Sequence, residues 1–219
     1  MEPYAVISRL QRYRRVPRGH SDETALLEAA WLLARRSDAS SPGVPVAYYS
    51  AELFGRRYPG ERRWEDRWET LREAVPLQGA RVLELGCNMG LLSTYALQEA
   101  NAESAFGIDR DRLIIEAARL TAASLGVQPR FATVDLDASE QWESPLLEYA
   151  PSVVFALNVL NWVTAKDRLL QFLGHFRCIV VEGHDSSGTE ISRLRSVGFS
   201  YFDEVATTER SRPLIVARQ

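Results

Sequence analysis

From Ala80 onward, strand-length apolar runs alternate with helix-length segments, and this alternation constrains the chain more than any other feature. The runs lie near 81–85, 104–109, 130–134, 152–158 and 177–182, with helical segments near 90–100, 111–124, 138–148 and 164–175 between them. Runs such as SVVFAL and CIVVE are apolar throughout, which suits parallel strands covered on both faces. A helix in TEISRLRSVGF follows, and then SYFDEVATTE and RPLIVAR, which read as two strands joined by a short turn. The expected fold is α/β: a doubly wound, mostly parallel seven-stranded sheet with an antiparallel terminal strand and helices on both faces.

Residues 1–75 depart from this pattern. The first 20 are basic and aromatic, with Arg9, Arg12, Arg14, Arg15 and Arg18. Ser21 is placed to cap a helix in DETALLEAAWLLARR, whose Leu26, Leu27, Ala30, Trp31 and Leu33 form an apolar face. SDASSPGVP, 37–45, reads as a loop. Helical spacing returns through Trp64, Trp68 and Leu71, and Pro76 and Gly79 end it. The expectation is an N-terminal helical cap over 1–75 and a Rossmann-like domain over 76–219.

A chain of 219 residues is long enough for one sizeable α/β core. Its net charge of −3 gives no general pull toward nucleic acid or acidic lipid. The two cysteines, Cys87 and Cys178, form neither a zinc motif nor a disulfide framework, so no metal is expected and a reduced, cytoplasmic setting is. MEPYAVISRLQRYRR lacks the apolar core of a signal peptide, and no run reaches membrane-spanning length.

The first strand and its turn, VLELGCNMG, carry the chemistry. In a doubly wound sheet ligands sit beyond the carboxyl ends of the strands, and glycines there let them approach the backbone. The dinucleotide fingerprint G-x-G-x-x-G is not met: the spacing is Glu84-x-Gly86-x-Asn88-x-Gly90. A strand-end acid opposes a pyrophosphate but suits a cation, so a ligand bearing an ammonium and a ribose fits better than NAD or FAD. The second strand ends in Asp109, 25 residues after Glu84, an acid suited to both ribose hydroxyls or to a helix cap. The third strand, RFATVDLD, ends in Asp135 or Asp137.

VLELGCNMG resembles the first motif of the class I S-adenosylmethionine (SAM) dependent methyltransferases, E/D-x-G-x-G-x-G, with Asn88 in place of the middle glycine. The resemblance implies SAM as methyl donor and S-adenosylhomocysteine (SAH) as product, held by Glu84, Gly86, Cys87, Asn88 and Gly90, with Asp109 and Arg110 at the second strand. It implies that an acid at the third strand, Asp135 by preference, meets the adenine amino group while the amide of Leu136 meets a ring nitrogen. PSVVFALNVLNWV is similar to the family's fourth motif, which places Asn158 near the donor methyl as a binding and catalytic residue. Many members begin that strand with Asp; here it is Ser152. The resemblance covers 80–182 and the terminal strand pair, and leaves acceptor choice to the first 75 residues.

Methyl transfer needs alignment, exclusion of water and, for a protonated nucleophile, a base. VVEGHDSS puts Glu182, His184 and Asp185 at the ligand-facing edge, and His184 is the candidate base. Tyr48, Tyr49 and Trp162 are candidate substrate contacts, and aromatic rings attract a sulfonium. Arg56, Arg57, Arg62 and Arg63 suit an anionic acceptor, or equally a solvated face. Neither cysteine follows a proline, as a cytosine-carbon mechanism requires, and the fourth strand lacks the D/N-P-P-Y/F/W motif of adenine amino-methylation. The expected acceptor is an oxygen or nitrogen of a small molecule or glycan. An RNA acceptor gripped by the arginines of 9–18 and 56–63, and a SAM-binding regulator without turnover, are the alternatives.

Overall fold

A computed structural model describes residues 22–37, 47–138, 141–208 and 210–219. Ser21 and the arginines of the first 20 residues lie outside these, as does nearly all of the expected 37–45 loop. The chain begins with α1 (Asp22–Ala34), which buries Leu27, Ala30, Trp31 and Leu33 and packs along a later helix. Next come β1 (Ala47–Leu53), β2 (Arg56–Tyr58), β3 (Gly60–Arg63) and α2 (Trp64–Ala74). The alternating core follows as β4 (Arg81–Leu85), α3 (Leu91–Gln98), β5 (Ser104–Asp109), α4 (Arg112–Ser124), β6 (Arg130–Thr133), α5 (Glu143–Glu148), β7 (Val153–Leu157), α6 (Lys166–Leu173), β8 (Cys178–Glu182) and α7 (Ser187–Ser196). Strands β9 (Tyr201–Thr207) and β10 (Pro213–Arg218) complete it.

The main sheet has seven strands in the order β6-β5-β4-β7-β8-β10-β9. β6, β5, β4, β7 and β8 run parallel, while β10 inserts antiparallel to both β8 and β9. The order reverses at β4, where a doubly wound sheet opens a crevice at its carboxyl edge.

Alternation along each strand divides the core in two. Val82, Phe155, Val180 and Val216 face one apolar cluster, shared with α1, α2, α3 and the small strands. Leu83, Leu85, Val154, Ala156, Ile179 and Val181 face the other, shared with α5, α6 and α7. With a period of two, Glu84 follows Val82 and Glu182 follows Val180 onto the first face, under the N-terminal segment.

The helical cap expected over 1–75 includes α1 and α2, but the strands β1, β2 and β3 lie between them. Residues 47–63 form a three-stranded sheet, order β2-β1-β3, with β2 antiparallel and β3 parallel to β1. Ala47, Tyr49, Ala51 and Leu53 turn inward at strand period. Phe54 and Gly55, at φ 52° and 68°, make the two-residue turn that the strand twist favours in a hairpin. Helix α2 stops at Val75, whose extended backbone is what a following proline imposes.

Candidate active site

A cavity of about 360 Å³ opens at the carboxyl edge of the main sheet, beneath β1 and α2. It runs along the sheet from Val134, Asp135 and Leu136 after β6, past Asp109 and Arg110 after β5 and Glu84, Gly86 and Asn88 after β4, to Asn158 and Trp162 after β7. Tyr48, Tyr49 and Arg67 from the N-terminal segment, and Arg210 and Arg212 from the β9–β10 turn, line it as well.

At the β4 end, the Glu84 carboxylate is buried and accepts from Ser93 N at 3.0 Å and Ser93 Oγ at 2.5 Å. Burial outweighs these bonds and pushes its pKa up to about 8. Gly86 and Gly90 both have φ 68°, the left-handed region, and Asn88 sits at φ 49°, which asparagine tolerates better than most side chains. A Cβ at Gly90 would stand 2.4 Å from Phe131, so this position is closed by packing as well as by backbone. At Gly86 the nearest side-chain atom is an ordinary 3.4 Å away, so its missing Cβ keeps the cavity floor open instead. Asp109 accepts from Asn88 N and Asp111 N, both at 3.1 Å, and burial raises its pKa.

Asp135 and Asp137 both line the cavity, but their bonding differs. Asp137 Oδ1 accepts from Thr164 N at 2.7 Å and Ala165 N at 2.9 Å, tying down the loop before α6. Asp135 Oδ1 accepts from Asp137 N alone among the described groups, and its side chain is exposed.

At the other end, three donors converge on the Tyr48 hydroxyl: Arg62 Nη1 at 2.9 Å, Arg67 Nη2 at 3.2 Å and Asn158 Nδ2 at 3.1 Å. Asn158 Oδ1 accepts from Arg212 Nη1 at 2.7 Å and from His184 Nε2, so the Asn158 amide is oriented from both sides. Behind them Glu182, fully buried, accepts from Arg62 Nη1 at 2.9 Å and from Arg67 Nη2, with Arg212 Nη1 at 3.7 Å. Glu182 therefore locks the N-terminal segment onto the sheet.

Compared with solved structures, the chain superposes on the SAH-bound N-terminal domain of EvdMO1 with a TM-score of 0.61, at 17% identity, covering 92% of this chain and 99% of that one. It superposes on the SAM-bound magnesium protoporphyrin IX methyltransferase ChlM of Synechocystis PCC 6803 with a TM-score of 0.54, at 21% identity, covering 71% and 77%. The chain has the class I methyltransferase fold. Among curated proteins, a tRNA U34 carboxymethyltransferase of Pseudomonas aeruginosa is 31% identical over 96 residues, 44% of this chain. That match spans 28% of the relative's own length. No family model matches the chain.

Within this methyltransferase fold, the cavity brings together Glu84, Gly86, Asn88, Asp109, Arg110, Asp135, Leu136, Asn158, Tyr48, Tyr49 and Trp162. Three expected site residues do not line it. Cys87 is fully buried, its amide donating to Ile108 O at 2.8 Å, and Gly90 is covered by Phe131. His184 is the main correction: it lies behind Asn158, with Nε2 engaged by the Asn158 amide rather than turned into the cleft. Glu190 Oε1 fixes it there by accepting from the amides of His184 at 3.0 Å and Asp185 at 3.1 Å. Burial first, and then Arg212, lower its pKa.

The arginines of 56–63 do not line the cavity either. Arg56 pairs with Glu28 at 2.7 Å, Arg63 lies within 4 Å of Glu65 and Asp66, and Arg62 is spent on Glu182 and Tyr48. Among the described residues, the arginines that reach the cavity are Arg67, Arg110, Arg210 and Arg212. Arg67 had a signal: it falls on the buried stripe Trp64, Arg67, Trp68, Leu71, where a charge must have a partner. Arg212, in a turn before β10, had none. Among the described residues no helix is long and apolar enough to cross a membrane.

Proposed function

We propose that the chain binds SAM in this cavity and transfers its methyl group to an oxygen or nitrogen of a small molecule or glycan. One observation carries the donor half: the strand-end acids Glu84 and Asp109, Gly86 and Asn88 line one continuous cavity in sheet order. The residues fit such a ligand. Asn88 Oδ1 is a buried polar atom without a partner in the described protein, and a donor group of such a ligand supplies one. Glu84 stands ready for an ammonium, which would draw its proton off. Asp109, with two backbone amides on its oxygens, keeps lone pairs for ribose hydroxyls. Asp135 is the freer acid for an adenine amino group, with Leu136 beneath it. When bound, the donor supplies a methyl already activated on a sulfonium.

The chain's task is then alignment and exclusion of water. Tyr48, Tyr49 and Arg67 roof the cavity, and Trp162, 65% exposed, stands at its mouth. Asn158, held by Tyr48, Arg212 and His184, is the contact nearest the acceptor side. His184 acts as a positioning residue: its Nε2–H holds the Asn158 carbonyl while its lowered pKa keeps it neutral near pH 7.

A tRNA acceptor is the second reading, favoured by the 96-residue match to a tRNA-modifying enzyme. Radiolabelled SAM offered with a panel of hydroxylated small molecules, sugars and total tRNA separates the readings. Label entering tRNA alone would replace the small-molecule acceptor; label entering nothing while SAH binds would favour a regulator.

A further inference from the structure

The acceptor end of the cavity holds two guanidinium groups, those of Arg67 and Arg212, whose N–H groups are only partly matched by acceptors among the described residues. Arg67, 4% exposed, and Arg212, with its side chain 16% exposed, both face the carboxylate of Glu182, which Arg62 also contacts. Arg212 makes one side-chain hydrogen bond, to Asn158, and approaches Glu182 no closer than 3.7 Å. Its other guanidinium N–H groups have no hydrogen-bond partner among the described residues. Arg67 Nε is buried and equally unpartnered. Both side chains line the cavity. Farther out Arg210 faces Glu61 at 3.2 Å, so that pair adds little net charge. Burial pulls the Arg212 pKa below its ordinary value against the opposing pull of Glu182, with Arg62 and Arg210 adding to the lowering.

A guanidinium withdrawn from water without an anion is costly, and its planar fork of donors matches an oxyanion. We propose that the acceptor carries a carboxylate-type oxyanion and that Arg212, with Arg67 beside it, is its docking point. This rests on the reading that the donor occupies the β4–β6 end, which leaves the β7–β8 end for the acceptor. The enclosure favours a small molecule over a polynucleotide, whose backbone phosphates are met by basic side chains on open surface. Arg212 then selects the acceptor and orients it, and through Asn158 its occupancy is communicated to the fourth-strand loop.

The test uses the full chain saturated with SAH and labelled with ¹⁵N-arginine, so that each Nε–H reports its own surroundings. The probes are benzoate, its neutral isostere benzamide, and phenyl phosphate, at constant ionic strength. Benzoate is expected to shift the Arg212 and Arg67 signals saturably while benzamide does not. Arg212→Gln should weaken benzoate at least tenfold, and Arg212→Lys should restore part of the affinity. Phenyl phosphate binding more tightly than benzoate would make the oxyanion a phosphate and keep the subsite. Benzoate shifting these signals no more than benzamide, or binding Arg212→Gln unchanged, overturns the proposal. So does displacement of benzoate by tRNA at these same arginines. If SAH fails to bind, the donor reading falls by itself, because the benzoate shifts remain readable in the ligand-free protein.

Discussion

The two ends of the cavity are built on different principles. The β4–β6 end is made of backbone turns and short acids at strand tips: Glu84, Gly86, Asn88, Asp109 and Asp135, all from one stretch of the alternating core. The β7–β8 end is assembled from three remote pieces, β1 with α2, the ends of β7 and β8, and the β9–β10 turn, joined by Glu182 and Asn158. The first is set by local backbone geometry and carries protonatable acids. The second is set by long-range ion pairs and carries guanidinium groups. A fold can keep the first while exchanging the second, and the proposed function accordingly assigns donor binding to the sheet edge and acceptor choice to what is laid over it.

The largest effect that separates the two ends is expected at Glu182. Glu182→Gln leaves Arg62, Arg67 and Arg212 facing a neutral amide in a buried site, and breaking such a pair costs about 3–5 kcal/mol. Urea unfolding should show that loss. A change below about 1 kcal/mol would mean that the ion pairs do not hold the N-terminal segment in place.

Gly86→Val puts a branched side chain at φ 68° on the cavity floor. Circular dichroism should report a folded chain, and SAH binding should fall below detection in calorimetry. Binding that survives this change would remove the turn from the donor site.

Glu84 gives the donor end a pH signature. Its pKa in the folded chain is about 8, above the usual carboxylate range, so the folded state holds this proton when the unfolded state has lost it. Stability from this group is therefore greatest at acidic pH and is lost as pH rises toward and through about 8. Glu84→Gln should flatten that decline. An ammonium beside Glu84 favours the carboxylate, so SAH affinity should rise with pH up to about 8, then fall as the ligand's amino group, with a reference value of about 7.7–8.0, deprotonates. A flat profile from pH 6 to 9 would break the pairing of Glu84 with the ammonium.

The smallest effect belongs to His184. His184→Ala should lower turnover several-fold by loosening Asn158, with SAH affinity little changed and no new limb in the pH–rate profile. A base would instead leave a profile that loses an ionisation when it is removed. Loss of such a limb would return His184 to a proton-transfer role.

The same comparison explains how much was legible in the sequence. Every strand and helix of the alternating core follows from local periodicity, and the terminal β9–β10 pair from its two apolar runs. Glu84, Gly86 and Asp109 were legible because their types and spacing are dictated by one turn and two adjacent strand tips. Residues 47–63 were not, because short strands carrying the adjacent pairs Arg56–Arg57 and Arg62–Arg63 resemble a solvated stretch until Tyr48 and Arg62 find partners far away. His184 was located at the correct sheet edge, but its direction depends on Glu190 and Asn158, which no local pattern reveals. Arg212 joins the site only because β10 inserts antiparallel beside β8 and brings its leading turn to the carboxyl edge.

The central claim is that strand-tip acids hold a nucleoside donor at the β4–β6 end. Calorimetric titration of the full chain with SAH, wild type against Asp109→Ala, tests it most directly. The account predicts saturable one-to-one binding to the wild type. It also predicts at least a tenfold weakening in the variant, about 1.4 kcal/mol for the lost ribose hydrogen bonds, with unfolding otherwise cooperative. Absence of SAH binding to the wild type, or equal affinity in the variant, would contradict it.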